Sequence, residues 1–191
     1  MRRGEIVRET KETNVSAKVN IDGIGESRVK TTIKFLDHIV TSLSTHSLID
    51  IEINATGDLI HHIAEDVAIV LGEALSRGLG EREGITRFGS ALVPMDDSLA
   101  YASVDLVKRP YSVIDLKIDK EGVEDMVGED IVHFLQSLST SLSANLHVSV
   151  QYGNNDHHKV EAGFKALAIS LRNACSLDER RIGLPTSKGK M

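Results

Sequence analysis

The chain has 191 residues, enough for one generous domain or two small halves sharing a core. A hydrophobic share of 41% with no Trp fits a globular protein, and a net charge of −6 without a long basic run argues against nucleic acid as the main partner. The single Cys175 excludes a disulfide framework and thiolate ligation of a metal; no apolar run nears membrane-spanning length, and Met1-Arg2-Arg3-Gly4 leads into a charged strand rather than a signal-peptide core, so a cytoplasmic protein with no membrane partner is expected.

Val15, Ala17, Val19 and Ile21 alternate with polar residues and are followed by Asp22-Gly23, which predicts a strand leading into a hairpin. A second alternating run spans Ser27 to Lys34. An apolar-periodic helix follows around Leu36 to His46, then a strand through Ile49, Ile51 and Ile53, then a long helix from about His61 to Arg77 that Gly78 and Gly80 end. The order then repeats: strands near Gly89–Pro94, Ala100–Val107 and Tyr111–Ile118, a helix near Ile131–Thr140, a strand at Asn145–Tyr152 and a helix at about His157–Ser176. Each half therefore reads as βββαβα, with halves of approximately residues 1–86 and 87–191 in a single domain. Leu71 and Leu75 correspond to Leu167 and Leu171, so the two long helices should bury the same face. Each half has one sheet face to cover, and packing the two helix layers together would bury the remaining apolar stripes. The expected fold is α+β, with two four-stranded sheets and the helices packed between them.

The repeat extends to the chemistry-bearing residues. His38, Ser42-Leu43-Ser44-Thr45 and His61-His62-Ile63-Ala64-Glu65 recur as His133, Ser137-Leu138-Ser139-Thr140 and His157-His158-Lys159-Val160-Glu161. The lone His precedes its HHxxE cluster by 23 positions in one copy and 24 in the other. Neutral imidazoles and carboxylates are the donors that intermediate divalent metals take. On a helix the first His and the Glu of each cluster are i,i+4 neighbours and can converge, whereas the adjacent His points away, so the pair suits two ions better than one. At a helix N-terminus the dipole helps keep Glu65 and Glu161 ionised for ligation. One HHxxE could be an ordinary polar helix start; two, each with a matched upstream His, predict a duplicated metal site. Spacing leaves open whether the paired sites meet within one chain or between chains.

Phe35-Leu36-Asp37-His38, His61-His62-Ile63-Ala64-Glu65-Asp66, Arg87-Phe88-Gly89, Pro94-Met95-Asp96, Arg109-Pro110-Tyr111, His133-Phe134 and Asn155-Asp156-His157-His158-Lys159-Val160-Glu161-Ala162 occur in an order that resembles the imidazoleglycerol-phosphate dehydratase family. The Lys11-Glu12-Thr13 start and the Pro185-Thr186-Ser187-Lys188-Gly189 tail fit as well, so the resemblance covers essentially the whole chain. It implies a ribosomal protein S5 domain 2-like fold and a single-function lyase of histidine biosynthesis. That lyase would dehydrate imidazole glycerol phosphate to imidazole acetol phosphate. It would act through a ring held as imidazolate between two Mn2+ ions and a carboxylate that takes a proton from a carbon no ordinary base could deprotonate unaided.

Carried over by position, the resemblance implies metal ligation by His38, His61, His62, Glu65, His133, His157, His158 and Glu161. Glu161 is the expected proton-abstracting carboxylate, with Glu65 its pseudo-equivalent competitor, and His46 and Asp96 match polar residues near the reacting carbons. Glu12 matches a substrate contact. Arg87, Arg109, Thr186, Ser187 and Lys188 match a phosphate site, where Arg can give two parallel charge-assisted bonds and Lys a point charge. The resemblance also implies trimers assembling with metal into a 24-subunit shell whose active sites draw on neighbouring chains. Two departures stand out. The Gly57-Asp58-Leu59-Ile60-His61 connection is shorter than the family's and lacks its Asp pair, and Ser42 replaces a common Gln. A dinuclear metal hydrolase, or a non-catalytic shell joined by metal, would draw on the same ligand types.

Overall fold

A computed structural model describes residues 2–119 and 121–189. The elements run β1 (Arg3–Glu9), β2 (Thr13–Asn20), β3 (Ser27–Lys30), α1 (Lys34–Ser47), β4 (Asp50–Gly57), α2 (Ile60–Leu79), β5 (Phe88–Met95), β6 (Ser98–Asp105), β7 (Tyr111–Asp115), α3 (Gly128–Leu142), β8 (Asn145–Tyr152) and α4 (Asp156–Cys175). They form two four-stranded sheets of matching topology, β1-β2-β4-β3 and β5-β6-β8-β7, with the four helices between them. The α+β reading with duplicated βββαβα order agrees with this arrangement.

The expected hairpin after Ile21 does not form. β2 pairs antiparallel with β4, and β3 lies on the far side of β4, parallel to it. Asp50, opening β4, holds the connection that the sequence presents as a turn: its Oδ1 accepts from the backbone N–H of Ile24, Gly25 and Glu26 at 2.8–3.1 Å, and its Oδ2 from Asn20 Nδ2 at 3.0 Å. The chain therefore passes over the end of β4 instead of folding straight back. β3 also stops at Lys30, short of the expected Lys34, because Asp37 captures Thr31 through both its N–H and its hydroxyl and turns the chain into α1. β7 likewise ends at Asp115 rather than Ile118. Gly78 lies inside α2, and Gly80 caps it.

The alternating residues of β2 and β4 fill one inner face, with Val15, Ile51 and Ile53 no more than 2% exposed, and Leu71, Leu75, Leu167 and Leu171 bury the same face of the two long helices. Each long helix covers its own sheet, α2 on β1 and β2 and α4 on β5 and β6, and packs against the short helix of the other half: α2 on α3, α1 on α4. Two glycines permit the helix-on-sheet approach. A Cβ on Gly4 would lie 1.9 Å from Ala74 O, and one on Gly89 would lie 1.9 Å from Ser170 O, at corresponding places in the two halves. The repeated Ser-Leu-Ser-Thr has a structural use. Ser44 and Ser139 are buried and donate to Ile49 O (2.7 Å) and Ala144 O (2.9 Å), securing the turn from each short helix into its strand. Among the described residues no helix is long and apolar enough to cross a membrane.

Two consequences are measurable by urea unfolding. Gly89→Ala should cost about 1–3 kcal/mol, because backbone must yield rather than a flexible side-chain end; an unchanged midpoint would show that α4 can lift off β5 without cost. At Asp50 burial pushes the carboxyl up, but the three amides and Asn20 outweigh it and hold it below its ordinary value. A lowered folded pKa gives stability that is present above the unfolded value of about 3.9 and lost as pH falls through the folded one. Asp50→Asn should therefore lose about 1–3 kcal/mol at pH 7, with the gap to wild type closing on acidification below about pH 4. A gap that does not narrow at all as the pH falls below about 4 would contradict the ionised carboxylate as its source.

Candidate metal centre and its surroundings

The crossed helix packing decides how the histidines group. His38 of α1 meets His157 and Glu161 of α4, while His133 of α3 meets His61 and Glu65 of α2, and the donor atoms of each triplet lie within 4.8 Å of one another. Each triplet thus takes its lone His from one half and its HxxxE pair from the other, a grouping the linear repeat conceals. In the first, Glu161 Oε2 lies 3.3 Å from His38 Nε2 and 3.4 Å from His157 Nε2; in the second, Glu65 Oε1 lies 3.2 Å from His133 Nε2.

The imidazoles of the HHxxE clusters present a uniform pattern. His61 Nδ1 lies 2.6 Å from Asp130, His62 Nδ1 2.8 Å from Asp58, His157 Nδ1 3.0 Å from Glu124 and His158 Nδ1 2.7 Å from Asp97. An ionised carboxylate only accepts, so each Nδ1 is the donor and a neutral ring keeps its Nε2 lone pair for a ligand. Two imidazole nitrogens and one carboxylate oxygen per triplet fit an intermediate divalent ion, with coordination positions left over for substrate. His62 and His158 belong to neither triplet, as adjacent residues on a helix must diverge. The hydrogen bond that His62 donates to Asp58 keeps its imidazole above the ordinary pKa. His158, with the amides of Asn154 and Asn155, holds the Asp97 carboxyl far below the usual range.

Glu161 and Glu65 differ despite their equivalent positions. The Glu161 side chain is 10% exposed and its Oε1 accepts from Lys165 Nζ at 2.8 Å, whereas Glu65 is 38% exposed. Burial pushes the Glu161 carboxyl up, but Lys165 and His38 outweigh it, so it lies below its ordinary value and ionised. Glu12 approaches the second group, 3.8 Å from His62 Nδ1, and Asp96 approaches His158 Nε2 at 3.5 Å. His46 belongs to neither group, lying eight residues or about 12 Å along α1 from His38.

The expected phosphate residues do gather. Arg87, Arg109, Thr186, Ser187 and Lys188 line one open cleft of about 470 Å³ with Val107 and Pro185. Arg87 is already engaged there, Nε and Nη2 on Asp105 at 2.6 and 3.0 Å and Nη1 on Pro185 O at 2.8 Å, so it ties down the tail while Arg109 and Lys188 remain exposed. This cleft lies far from the His157 end of α4 in the same chain. Arg87 precedes β5 and Asp96 follows it, a separation of about 30 Å along an extended strand. Equally, the Arg87 N–H bonds Ala174 O near the end of α4, whereas His157 opens that helix, about 25 Å away.

Asp97, Glu124, Asp130 and Lys165 went unmarked in the sequence. Lys165 follows Glu161 by four, an ordinary helical ion-pair spacing that could have signalled it; the carboxylates reach their histidines from 33 to 69 residues away and left no local trace. If Lys165 offsets the burial of Glu161, Lys165→Ala should lower the stability of the metal-free chain at pH 7 by about 1–3 kcal/mol, and in Glu161→Gln the same change should cost much less. Equal costs in both backgrounds, measured by urea unfolding, would deny the coupling.

A family model described as imidazoleglycerol-phosphate dehydratase matches residues 31–171. A relative of that name from Methanothermobacter thermautotrophicus is 47% identical over 194 aligned residues, covering 100% of this chain and 98% of its own. One from Dehalococcoides mccartyi is 46% identical over 191 residues, covering 100% and 97%. The crystal structure of the Pyrococcus furiosus enzyme superposes with a TM-score of 0.84 at 37% identity, over 97% of this chain and 100% of that one. The Staphylococcus aureus enzyme gives the same TM-score at 29% identity, over 92% and 99%. Residue pattern, topology and whole-length likeness converge: the chain belongs to the imidazoleglycerol-phosphate dehydratase family, metal-dependent lyases of histidine biosynthesis.

Proposed function

We propose that this chain dehydrates imidazole glycerol phosphate to imidazole acetol phosphate with two Mn2+ ions per active site, and that each active site is built from more than one copy of the chain. The observation that carries this reading is the separation of the His38–His157–Glu161 donor set from the Arg87 side of a phosphate-type cleft by some 25–30 Å, several times the length of the substrate. A single copy cannot hold a ring at that set and a phosphate at Arg87 together; a neighbour's cleft facing this copy's metal groups can.

His38, His157 and Glu161 would hold one ion and His61, Glu65 and His133 the other, with His62 and His158 turned outward where they could complete sites shared with a neighbour. Bound there, the ions would supply Lewis acidity toward the two ring nitrogens of the substrate. Glu161, ionised through Lys165, takes the proton from the carbon next to the one that loses hydroxide. Asp96 and Glu12 lie close enough to the HHxxE clusters to contact the glycerol part, whereas His46 depends on a neighbour for any such role. Arg109, Lys188, Thr186 and Ser187 hold the phosphate, and Arg87 keeps the tail in place for them. The chain works as one domain of two halves meeting near residues 86 and 87.

Asymmetry between the sheets supports self-association into trimers and a 24-subunit shell. The outer face of the first sheet carries a ladder of alternating charge, Glu5, Lys18, Glu52 and Arg28 in register, suited to water. The second exposes Phe88, Leu92, Tyr101, Tyr111 and Val113, a patch that a partner would cover.

The direct experiment follows imidazole acetol phosphate formed from imidazole glycerol phosphate, with Mn2+ and with chelator, beside an assay for free phosphate. Product that needs Mn2+ and retains its phosphate is expected; phosphate release would turn the reading toward a hydrolase, and no reaction from an assembled, metal-loaded particle toward a structural shell. Sharing between chains has its own test. Arg109→Ala and His157→Ala should each be nearly inactive, yet mixing them through dissociation and reassembly should restore a substantial fraction of activity. Failure to restore any, with mixed particles formed, would place the whole site in one chain.

A further inference from the structure

All four imidazoles of the HHxxE clusters have a carboxylate on Nδ1, but one contact differs in kind. Asp58, Glu124 and Asp97 reach their histidines with side chains 54%, 59% and 34% exposed, where water competes. Asp130 reaches His61 from within the first turn of α3, its side chain 8% exposed and its Oδ1 2.6 Å from Nδ1. Among the described residues its carboxylate has no other hydrogen-bond donor and no cationic side chain. Burying a carboxylate is costly, and packing alone would favour an apolar residue on this core-facing turn beside Ile131 and Phe134.

The other half supplies the comparison. Three residues before the lone His stands Asp130 in α3 but Phe35 in α1, and Phe35 packs its ring on His157 at a centroid distance of 5.1 Å. The same helical position therefore touches the first His of an HHxxE cluster in both halves, once with a phenyl ring and once with a carboxylate. The Gly57–His61 connection contains a single carboxylate, Asp58, and it is used by His62. His61 stacks nearly parallel to His133, 5.2 Å away and 19° inclined, so its ring plane is also constrained from the metal side.

We infer that Asp130 is the positioning residue for His61, fixing the Nδ1–H tautomer and ring orientation that turn Nε2 toward Glu65 and His133, and that the ion held by this group alone depends on it. The inference rests on the metal reading of that group. It makes the two ion sites inequivalent: one imidazole is steered by a buried carboxylate on the facing helix, the other by a phenyl ring and an exposed loop carboxylate. Carboxylates that orient metal-bound imidazoles typically contribute 10- to 100-fold in metal affinity.

The test counts free manganese(II) by electron paramagnetic resonance while chelator-stripped protein is titrated with the metal, and follows urea unfolding of the stripped protein alongside. In Asp130→Leu one class of ion should bind about 10- to 100-fold more weakly and the other should be unaffected. The metal-free midpoint should stay level or rise, since a buried carboxylate has been removed. Asp130→Asn, whose side-chain oxygen can accept the same Nδ1–H, should recover most of the affinity. Asp130→Ala carries the expectation of the Leu variant should that one not fold. Wild-type affinity for both classes in the Leu or Ala variant would overturn the assignment, as would both classes weakening together with a lower midpoint, the mark of a general structural role. An Asn variant as weak as Leu would overturn the hydrogen-bond argument. No manganese uptake by the wild-type chain would instead remove the metal reading, and this inference with it.

Discussion

The packing of each short helix against the long helix of the opposite half is the constraint on which the rest of the structure depends. A four-stranded sheet with two helices leaves an apolar helical stripe uncovered, and the partner half covers it. Because α1 lies on α4 and α3 on α2, the two helix layers form one core, in which Phe134 of α3 and Phe164 of α4 meet with tilted rings at 5.9 Å. Gly72 shows how close the contact is: a Cβ there would fall 2.7 Å from Ser141 Cβ and 2.8 Å from Leu142 N. Buried Arg82 closes the same seam, donating to the carbonyls of Leu142 and Ser143 at the end of α3 from the loop after α2. Ligand groups built across this seam exist only when both halves are folded and docked, so ion binding and the docking of the halves are thermodynamically linked.

The linkage also explains which parts of the molecule could be read from sequence. Strand alternation and the 3.6-residue period are local, and they gave the eleven elements named from the sequence nearly in place, with errors at ends such as Ile118 and Lys34, the latter where Asp37 intercepts the backbone at Thr31. The hairpin after Ile21 was misjudged because its turn residues are real, but a carboxylate 28 residues beyond Asp22 holds the loop open for a crossover. The eight metal-ligand candidates were legible because residue type and repetition both speak for them. Their partition into His38–His157–Glu161 and His61–Glu65–His133 was not, since it follows from helix docking and not from spacing. Ser44 and Ser139 carried the same repeat signal as the histidines and proved to be turn-forming hydroxyls. Repetition marks what a duplicated fold keeps, whether for chemistry or for folding.

What the halves do not share is as informative as what they do. Glu65 and Glu161 hold equivalent places, yet four residues later one half has Ile69 and the other Lys165, so one carboxylate is solvated and the other is buried against an ammonium group. Arg2 matches Arg87 in pairing with an aspartate, Asp22, and a backbone carbonyl, but the tail segment Pro185–Lys188 that Arg87 binds has no counterpart in the first half, which confines the cleft it lines to the far end of the second sheet. The outer sheet faces have diverged in the same direction, charged on the first and aromatic on the second.

These differences have a common logic. A duplicated unit by itself supplies two like donor groups, which suits the substrate ring with two nitrogens that the proposed reaction involves. A dehydration is not symmetric: one carbon loses hydroxide, its neighbour loses a proton, and the phosphate lies on one side only. A twofold arrangement can serve it only where the halves cease to be equivalent. The asymmetry is concentrated at the base candidate Glu161, at the carboxylate-versus-phenyl position three residues before each lone His, and at the cleft whose Arg87 lies some 25–30 Å from the α4 ligands. The ligand types are conserved between the halves, whereas the groups that tune, orient and supplement them are not. Duplication thus provides the paired donors and divergence around them provides direction; under the proposed shared site, assembly would bring the α4 donors and the cleft together.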